Sequence, residues 1–173
     1  MTQQTMFLKN TETFAESLAR CGVKFHFAYP ITPATDVMKR MAVILPQYGG
    51  KMLQMESELA VSSALAGAAC TGMLCATSSS GPGMTLMQEA ISCLMLDSMR
   101  VGPGDGDILG AQSDYYMSTR GGGHGDYHVP VLAPSDGQEI VDLVPEGIRL
   151  AYTYRTPVLF VFDGVTAQTT ETA

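Results

Sequence analysis

A chain of 173 residues with 46% hydrophobic and 16% charged residues can bury one sizeable core, so a single domain is expected. Ten Lys+Arg against 17 Asp+Glu leave a net charge of −7, which supplies no basic surface for the phosphates of a nucleic acid or for an anionic membrane. No apolar run reaches the roughly 18 residues that span a bilayer, and Met1 to Thr5 has no basic leader, so the chain reads as cytoplasmic.

Thr13 and Glu16 have the spacing of a capping box for a first helix through Arg20, which Gly22 closes in a left-handed turn. Lys24 to Ala28 reads as a short buried strand. After Tyr29 to Pro33, the stripe Val37, Met38, Met41 and Ile44 marks a helix that Pro46 and Gly49-Gly50 terminate. Lys51 to Met55 is a second strand, and the Ala-rich stretch Glu58 to Thr71 a helix able to approach a sheet closely. Met73 to Thr77 is a third strand, followed by a Ser/Gly/Pro turn and a helix over Met84 to Leu94. Later come a strand at Val129 to Ala133, a helix at Gln138 to Tyr152 that Pro145 kinks or divides, and a strand at Val158 to Phe162. Alternation of this kind predicts an α/β domain with a mostly parallel sheet covered on both faces. One beat is missing: Met95 to Met99 holds no Val or Ile run, so the sequence reads as short of a strand before Arg100.

Cys21, Cys70, Cys75 and Cys93 form no C-x-x-C and read as small buried hydrophobes in a reducing compartment, so no metal or iron–sulfur ligand set is expected here. The chemistry concentrates at turns where strands give way to helices, the end of an open α/β sheet where ligands collect. Thr32, fixed between Pro30-Ile31 and Pro33, either caps the next helix or offers a rigid donor to a carboxylate. Glu56 and Glu58 flank Ser57 at a helix start, where the dipole stabilises acids by about 0.3–1 kcal/mol. Glu58, leading into a buried helix, is the one placed to become partly desolvated. Ser80-Gly81-Pro82-Gly83 can cradle a phosphate or shape a crevice; it lacks the Gly-Lys-Ser/Thr ending of a P-loop. Arg100, before Val101-Gly102-Pro103-Gly104, suits two-pronged recognition of a carboxylate. Gln112 to Asp126, with Asp114, Arg120 and His124-Gly125-Asp126, reads as a mobile polar loop.

These turns, in this order, resemble the α subunit of the 2-oxoacid:ferredoxin oxidoreductases. The likeness continues through Leu86-Met87-Gln88-Glu89 and Tyr154-Arg155-Thr156-Pro157-Val158 to Asp163-Gly164. It implies that residues 1–173 are the pyrimidine-binding domain of a thiamine diphosphate enzyme, with the family's second α/β domain outside this sequence. By resemblance, Glu58 shares a proton with the aminopyrimidine ring, Thr32 and Arg100 hold the carboxylate of a 2-oxoacid, and Pro30, Ile31, Ser80, Gly81, Pro82 and Gly83 border the cofactor. Gly104-Asp105-Gly106-Asp107 begins like a magnesium–diphosphate motif, yet such a motif needs a downstream asparagine and the only one here is Asn10. The implied diphosphate half-site and Mg2+ therefore belong to a β subunit. Iron–sulfur clusters belong to further partner chains or ferredoxin, and coenzyme A takes the acyl group. Two alternatives stay open, a non-catalytic partner-binding domain and the pyrimidine domain of a non-oxidative decarboxylase or transketolase-like enzyme.

Overall fold

The computed structural model describes residues 5–173; residues 1–4, part of the start read above as having no leader, lie outside the described residues. In chain order the elements are β1 (Phe7–Lys9), α1 (Asn10–Arg20), β2 (Phe25–Ala28), α2 (Thr35–Ile44), β3 (Lys51–Gln54), α3 (Glu58–Cys70), β4 (Cys75–Ser79) and α4 (Gly81–Leu86). They continue with β5 (Leu94–Met99), α5 (Tyr115–Arg120), β6 (Val131–Leu132), α6 (Gly137–Tyr154), β7 (Val158–Asp163), α7 (Gly164–Gln168) and β8 (Thr170–Thr172). Six strands form one parallel sheet in the order β3-β2-β4-β5-β7-β6. Phe14, Leu18, Met41, Leu96, Val144 and Phe160 fill one face of it, and Val61, Leu65, Met84, Met95 and Leu159 the other. The predicted α/β class with both faces covered is what forms.

The strand that the sequence seemed to lack is present. β5 lies between β4 and β7, with Ser79 opposite Asp97 on one side and Val161 on the other. An empty place there would leave both neighbours with unpaired backbone groups. The shortfall is taken from the helix instead: α4 stops at Leu86, a 3₁₀ turn covers Gln88–Ala90, and Leu94–Met99 joins the sheet although it holds no β-branched residue.

Other boundaries move for local reasons. α1 begins at Asn10 rather than Thr13, because the Lys9 N–H donates to the Glu12 carboxylate at 3.2 Å. Glu16 instead takes Arg40 and Arg20 as partners. Pro145 does not divide α6, whose start is capped by the Asp136 carboxylate accepting from the Glu139 N–H at 2.8 Å. A short helix, α5, occupies part of the segment read as a loop. β1 and β8, absent from the sequence reading, pair antiparallel as a two-stranded ribbon.

Cys75 and Cys93 form a disulfide, against the expectation of four unpaired thiols. The register Ala76↔Leu94 sets the preceding residues side by side with Cα atoms 5.8 Å apart, within bridging range. Cys21 and Cys70 are free. Among the described residues no helix is long and apolar enough to cross a membrane.

Candidate functional site

Four neighbouring strands, β3, β2, β4 and β5, end at one edge of the sheet and lead into the turns singled out above. At the end of β2, Tyr29, Pro30 and Thr32 are exposed, Ile31 is half-buried and Pro33 is buried. Neither Thr32 nor Thr35 caps α2, whose N-cap is Ala34 with no side-chain bond. The Thr32 carbonyl is claimed from across the edge: Arg100 Nη1 donates to it at 3.0 Å. Arg100 Nη2 donates to the Asp105 carbonyl at 2.9 Å, so one guanidinium joins the β2 turn to the loop after β5. Two of its five N–H donors are thus engaged with backbone, and Nε is buried without a partner. Arg100 is 8% exposed, so it is not a free surface arginine.

After β3, the Ser57 hydroxyl accepts from the Ala60 N–H at 3.2 Å and fixes the start of α3. Glu58 is the first helical residue and half-buried, whereas Glu56 is exposed. Glu58 reaches the turn after β4. A Cβ placed on Gly83 would collide with Ser79 Oγ and stand 3.1 Å from Glu58 Oε1, so only glycine lets this turn settle so close to the carboxylate. Ser80 is buried and its hydroxyl donates to the Ser98 carbonyl at 2.7 Å, tying the turn to β5; its side chain therefore faces the fold. Gly81 is pressed by Asp114, whose Oδ2 would lie 2.7 Å from an added Cβ. The result is a compact step of Glu58, Ser79 and the Gly81–Gly83 backbone, with Thr32 and Arg100 alongside. A carboxylate beside backbone N–H groups offers both acceptor and donors to a flat nitrogen heterocycle, which fits the pyrimidine end of thiamine.

The other sequence candidates lie elsewhere. His124, Gly125 and Asp126 are exposed in the loop after α5. That loop is organised by Tyr127, whose hydroxyl receives the Gly122 and Gly123 N–H groups at 3.2 Å and donates to Gln88. Asn10 has its amide on the Thr166 carbonyl at 3.0 Å. Gly104-Asp105-Gly106-Asp107 is an exposed turn in which Gly104 and Gly106 take positive φ, a conformation glycine adopts without a Cβ penalty.

Residues 16–173 match the family described as pyruvate flavodoxin/ferredoxin oxidoreductase, thiamine diphosphate-binding. The chain belongs to this family. It is 41% identical to the ketoisovalerate oxidoreductase subunit VorB of Methanothermobacter thermautotrophicus, over 96% of this chain and 50% of that protein. To the 2-oxoglutarate synthase subunit KorA of Methanocaldococcus jannaschii it is 37% identical, over 92% of this chain and 46% of that one. A 2-oxoglutarate:ferredoxin oxidoreductase from Magnetococcus marinus, solved with 2-oxoglutarate, coenzyme A and succinyl-CoA bound, superposes with a TM-score of 0.93 at 34% identity. That match covers 99% of this chain and 31% of the solved one. The chain therefore spans about half the length of the curated relatives it matches.

Within this pyruvate flavodoxin/ferredoxin oxidoreductase domain, the sequence reading missed one acid and undervalued another. Asp97 is wholly buried on β5 with both carboxylate oxygens unpartnered, and Asp114, read only as part of a polar loop, has a buried unpartnered Oδ2 against Gly81. Burial raises the Asp97 carboxyl well above the usual carboxylate range, and the nearby Asp114 adds to it. The available signal was an aspartate directly after the apolar run Leu94-Met95-Leu96 and two residues before Met99.

Proposed function

We propose that this chain is the pyrimidine-side domain of a 2-oxoacid:ferredoxin oxidoreductase, which converts a 2-oxoacid and coenzyme A to an acyl-CoA and passes electrons to ferredoxin. The observation that carries the reading is the meeting of Glu58 with the Ser79–Gly83 turn at the sheet edge, in a family described as thiamine diphosphate-binding. Thiamine diphosphate, when bound, supplies the carbon nucleophile for the 2-oxo group and a sink for the electrons left by loss of CO2. Glu58 would hold a proton against the pyrimidine ring. Pro30, Ile31 and the Ser80, Gly81, Pro82, Gly83 turn would wall that ring. Thr32 and the free donors of Arg100 would orient the substrate carboxylate, and Arg100 already fixes the Thr32 turn through its carbonyl.

The same reading assigns the diphosphate half-site and Mg2+ to a β subunit, and iron–sulfur clusters to partner chains in a cytoplasmic complex. It is supported by the lack of any asparagine but Asn10, whose amide is engaged with the Thr166 carbonyl. In the complex assembled with its partner subunits, Glu58→Gln keeps volume and hydrogen bonding but cannot exchange the proton. We expect kcat to fall by roughly 10²–10⁴, with a smaller effect on cofactor affinity. Glu56→Gln, exposed and two residues away, is the matched control. Deuterium exchange at the cofactor's reactive carbon reads the step directly. Equal exchange rates in the two variants would remove Glu58 from the chemistry.

A further inference from the structure

At the other end of the sheet from Glu58 and Arg100, where β4, β5 and β7 begin, a cavity of about 660 Å³ opens between the ends of α3 and α6. Its lining includes Cys70, Met73, Ile91, Cys93, Tyr152 and Arg155. One half of the disulfide therefore borders the cavity, while the other, Cys75, is 0% exposed at the start of β4. Cys93 is left-handed, at φ 59, a region that residues with a Cβ rarely occupy. Two ties hold it there: the bond to Cys75, and its carbonyl, which accepts from the Val158 N–H at 2.9 Å. The opened state is provided for as well, because Cys75 Sγ lies 3.7 Å from the Leu65 carbonyl, an acceptor for an S–H group.

We propose that Cys93 is a thiol-exchange site, entered through this cavity by a small-molecule thiol, and that opening the Cys75–Cys93 bond releases the start of β5 from β4. A disulfide sealed in a core is inert because exchange requires a thiolate to reach one of its sulfurs. Here one partner borders open space, and Arg155 on the same lining supplies positive charge for an incoming thiolate. That thiolate bonds to Cys93 Sγ as the Sγ–Sγ bond breaks. The electron pair goes to Cys75, which takes up a proton and donates it in a hydrogen bond to the Leu65 carbonyl. A second thiolate then displaces the first from Cys93, which is protonated in turn. Two small thiols become one small disulfide, and the protein gains two S–H groups. The consequence falls on β5, whose pairing with β4 begins one residue beyond the bridge, at Ala76↔Leu94, and which holds no β-branched residue to favour the strand. With the bond open, Cys93 is free to leave its left-handed conformation and the first rungs of β5 lose their staple.

The test uses the full chain, with glutathione as the thiol. The chain is equilibrated in mixtures of reduced and oxidised glutathione, free thiols are alkylated, and the Cys75–Cys93 bond is followed by mass spectrometry. Expected is a change from about nine-tenths closed to about nine-tenths open over a roughly hundredfold rise in the ratio of squared reduced to oxidised glutathione, with the chain folded throughout by circular dichroism. The mixed disulfide trapped early in the reaction is on Cys93. On opening, hydrogen–deuterium exchange of the Leu94–Met99 amides quickens by about tenfold or more, while that of Phe25–Ala28 in β2 stays within about twofold. Cys93→Ser shows the quick exchange in every mixture; if that variant fails to fold, the titration of the unmodified chain decides. A bond that stays closed until the chain unfolds, a bond that never forms in the most oxidising mixture, a mixed disulfide on Cys75, or β5 amides indifferent to the bond would each overturn the proposal. Neither arm involves thiamine diphosphate or a 2-oxoacid, so the functional reading stands or falls separately.

Discussion

Asp97 stands in a central strand where a charge would have no water and no counter-ion. Its folded proton affinity is raised, chiefly by burial, so the unfolded chain gives up this proton at lower pH than the native one does. The associated loss of stability is absent below the unfolded pKa of about 4 and grows as pH rises above it. His26, on the opposite face against Ser78 Oγ at 3.2 Å, behaves conversely: burial pushes its pKa down to about 3, so stability declines as pH falls below about 6.5 toward that value. Asp97→Asn removes the first effect only. We expect its Tm at pH 7 to exceed that of the unmodified chain by roughly 2–8 °C, or about 1–2 kcal/mol, and the difference to vanish near pH 4. A lower Tm at pH 7 would mean that Asp97 is ionised and paired. The prolines, glycines and acids at the strand ends were legible as turns of a candidate site because turn residues declare themselves by type. Asp97 was not, since an acid beside Met95 and Leu96 resembles the frayed end of a helix until a partner strand is set on either side.

At the level of elements, α6 lies on β7 through Gly147, where an added Cβ would overlap Phe160 Cζ. Phe160 is fully buried and packs edge-on to Phe14 with ring centroids 5.1 Å apart, so it cannot withdraw. Gly147→Ala, otherwise favourable in a helix, is expected to cost about 1–3 kcal/mol by overpacking. Adding Phe160→Leu should make the Gly147→Ala step less costly than it is alone, a non-additivity measurable by denaturant titration. Additive effects would show that the helix can ride outward on its own. Periodicity located α2, whose buried positions Val37, Met38, Met41 and Ile44 recur over two turns, whereas α3 was legible from its run of small, Ala-rich residues. It failed between Gly81 and Met99, where the same apolar residues serve a helix or a strand. The choice there is made by the vacancy between β4 and β7, which lies outside the local sequence. β1 and β8 escaped for a similar reason: each is three residues long and is defined only by its partner at the far end of the chain.

For the whole molecule, the four turns gather on one edge, yet they furnish carboxylate, hydroxyl and guanidinium groups and no asparagine with which to complete a magnesium–diphosphate shell. The chain by itself is therefore expected to bind thiamine diphosphate with Mg2+ more weakly than about 1 mM, as titration calorimetry would show. Micromolar binding by the lone chain would dismiss a site divided between subunits. The pairing of Met6 with Ala173 has a mechanical meaning. Met6 and Ala173 exchange backbone hydrogen bonds of 2.8 and 3.0 Å at the open end of the β1–β8 ribbon. Tension applied between these two residues would part the ribbon like a zipper, one rung after another from that end, because neighbouring tips of antiparallel strands share the load unequally. The first give would come there, at a hem remote in the sequence from Glu58 and Arg100, and the six-strand sheet would feel the pull only after Lys9 and Thr170 had separated.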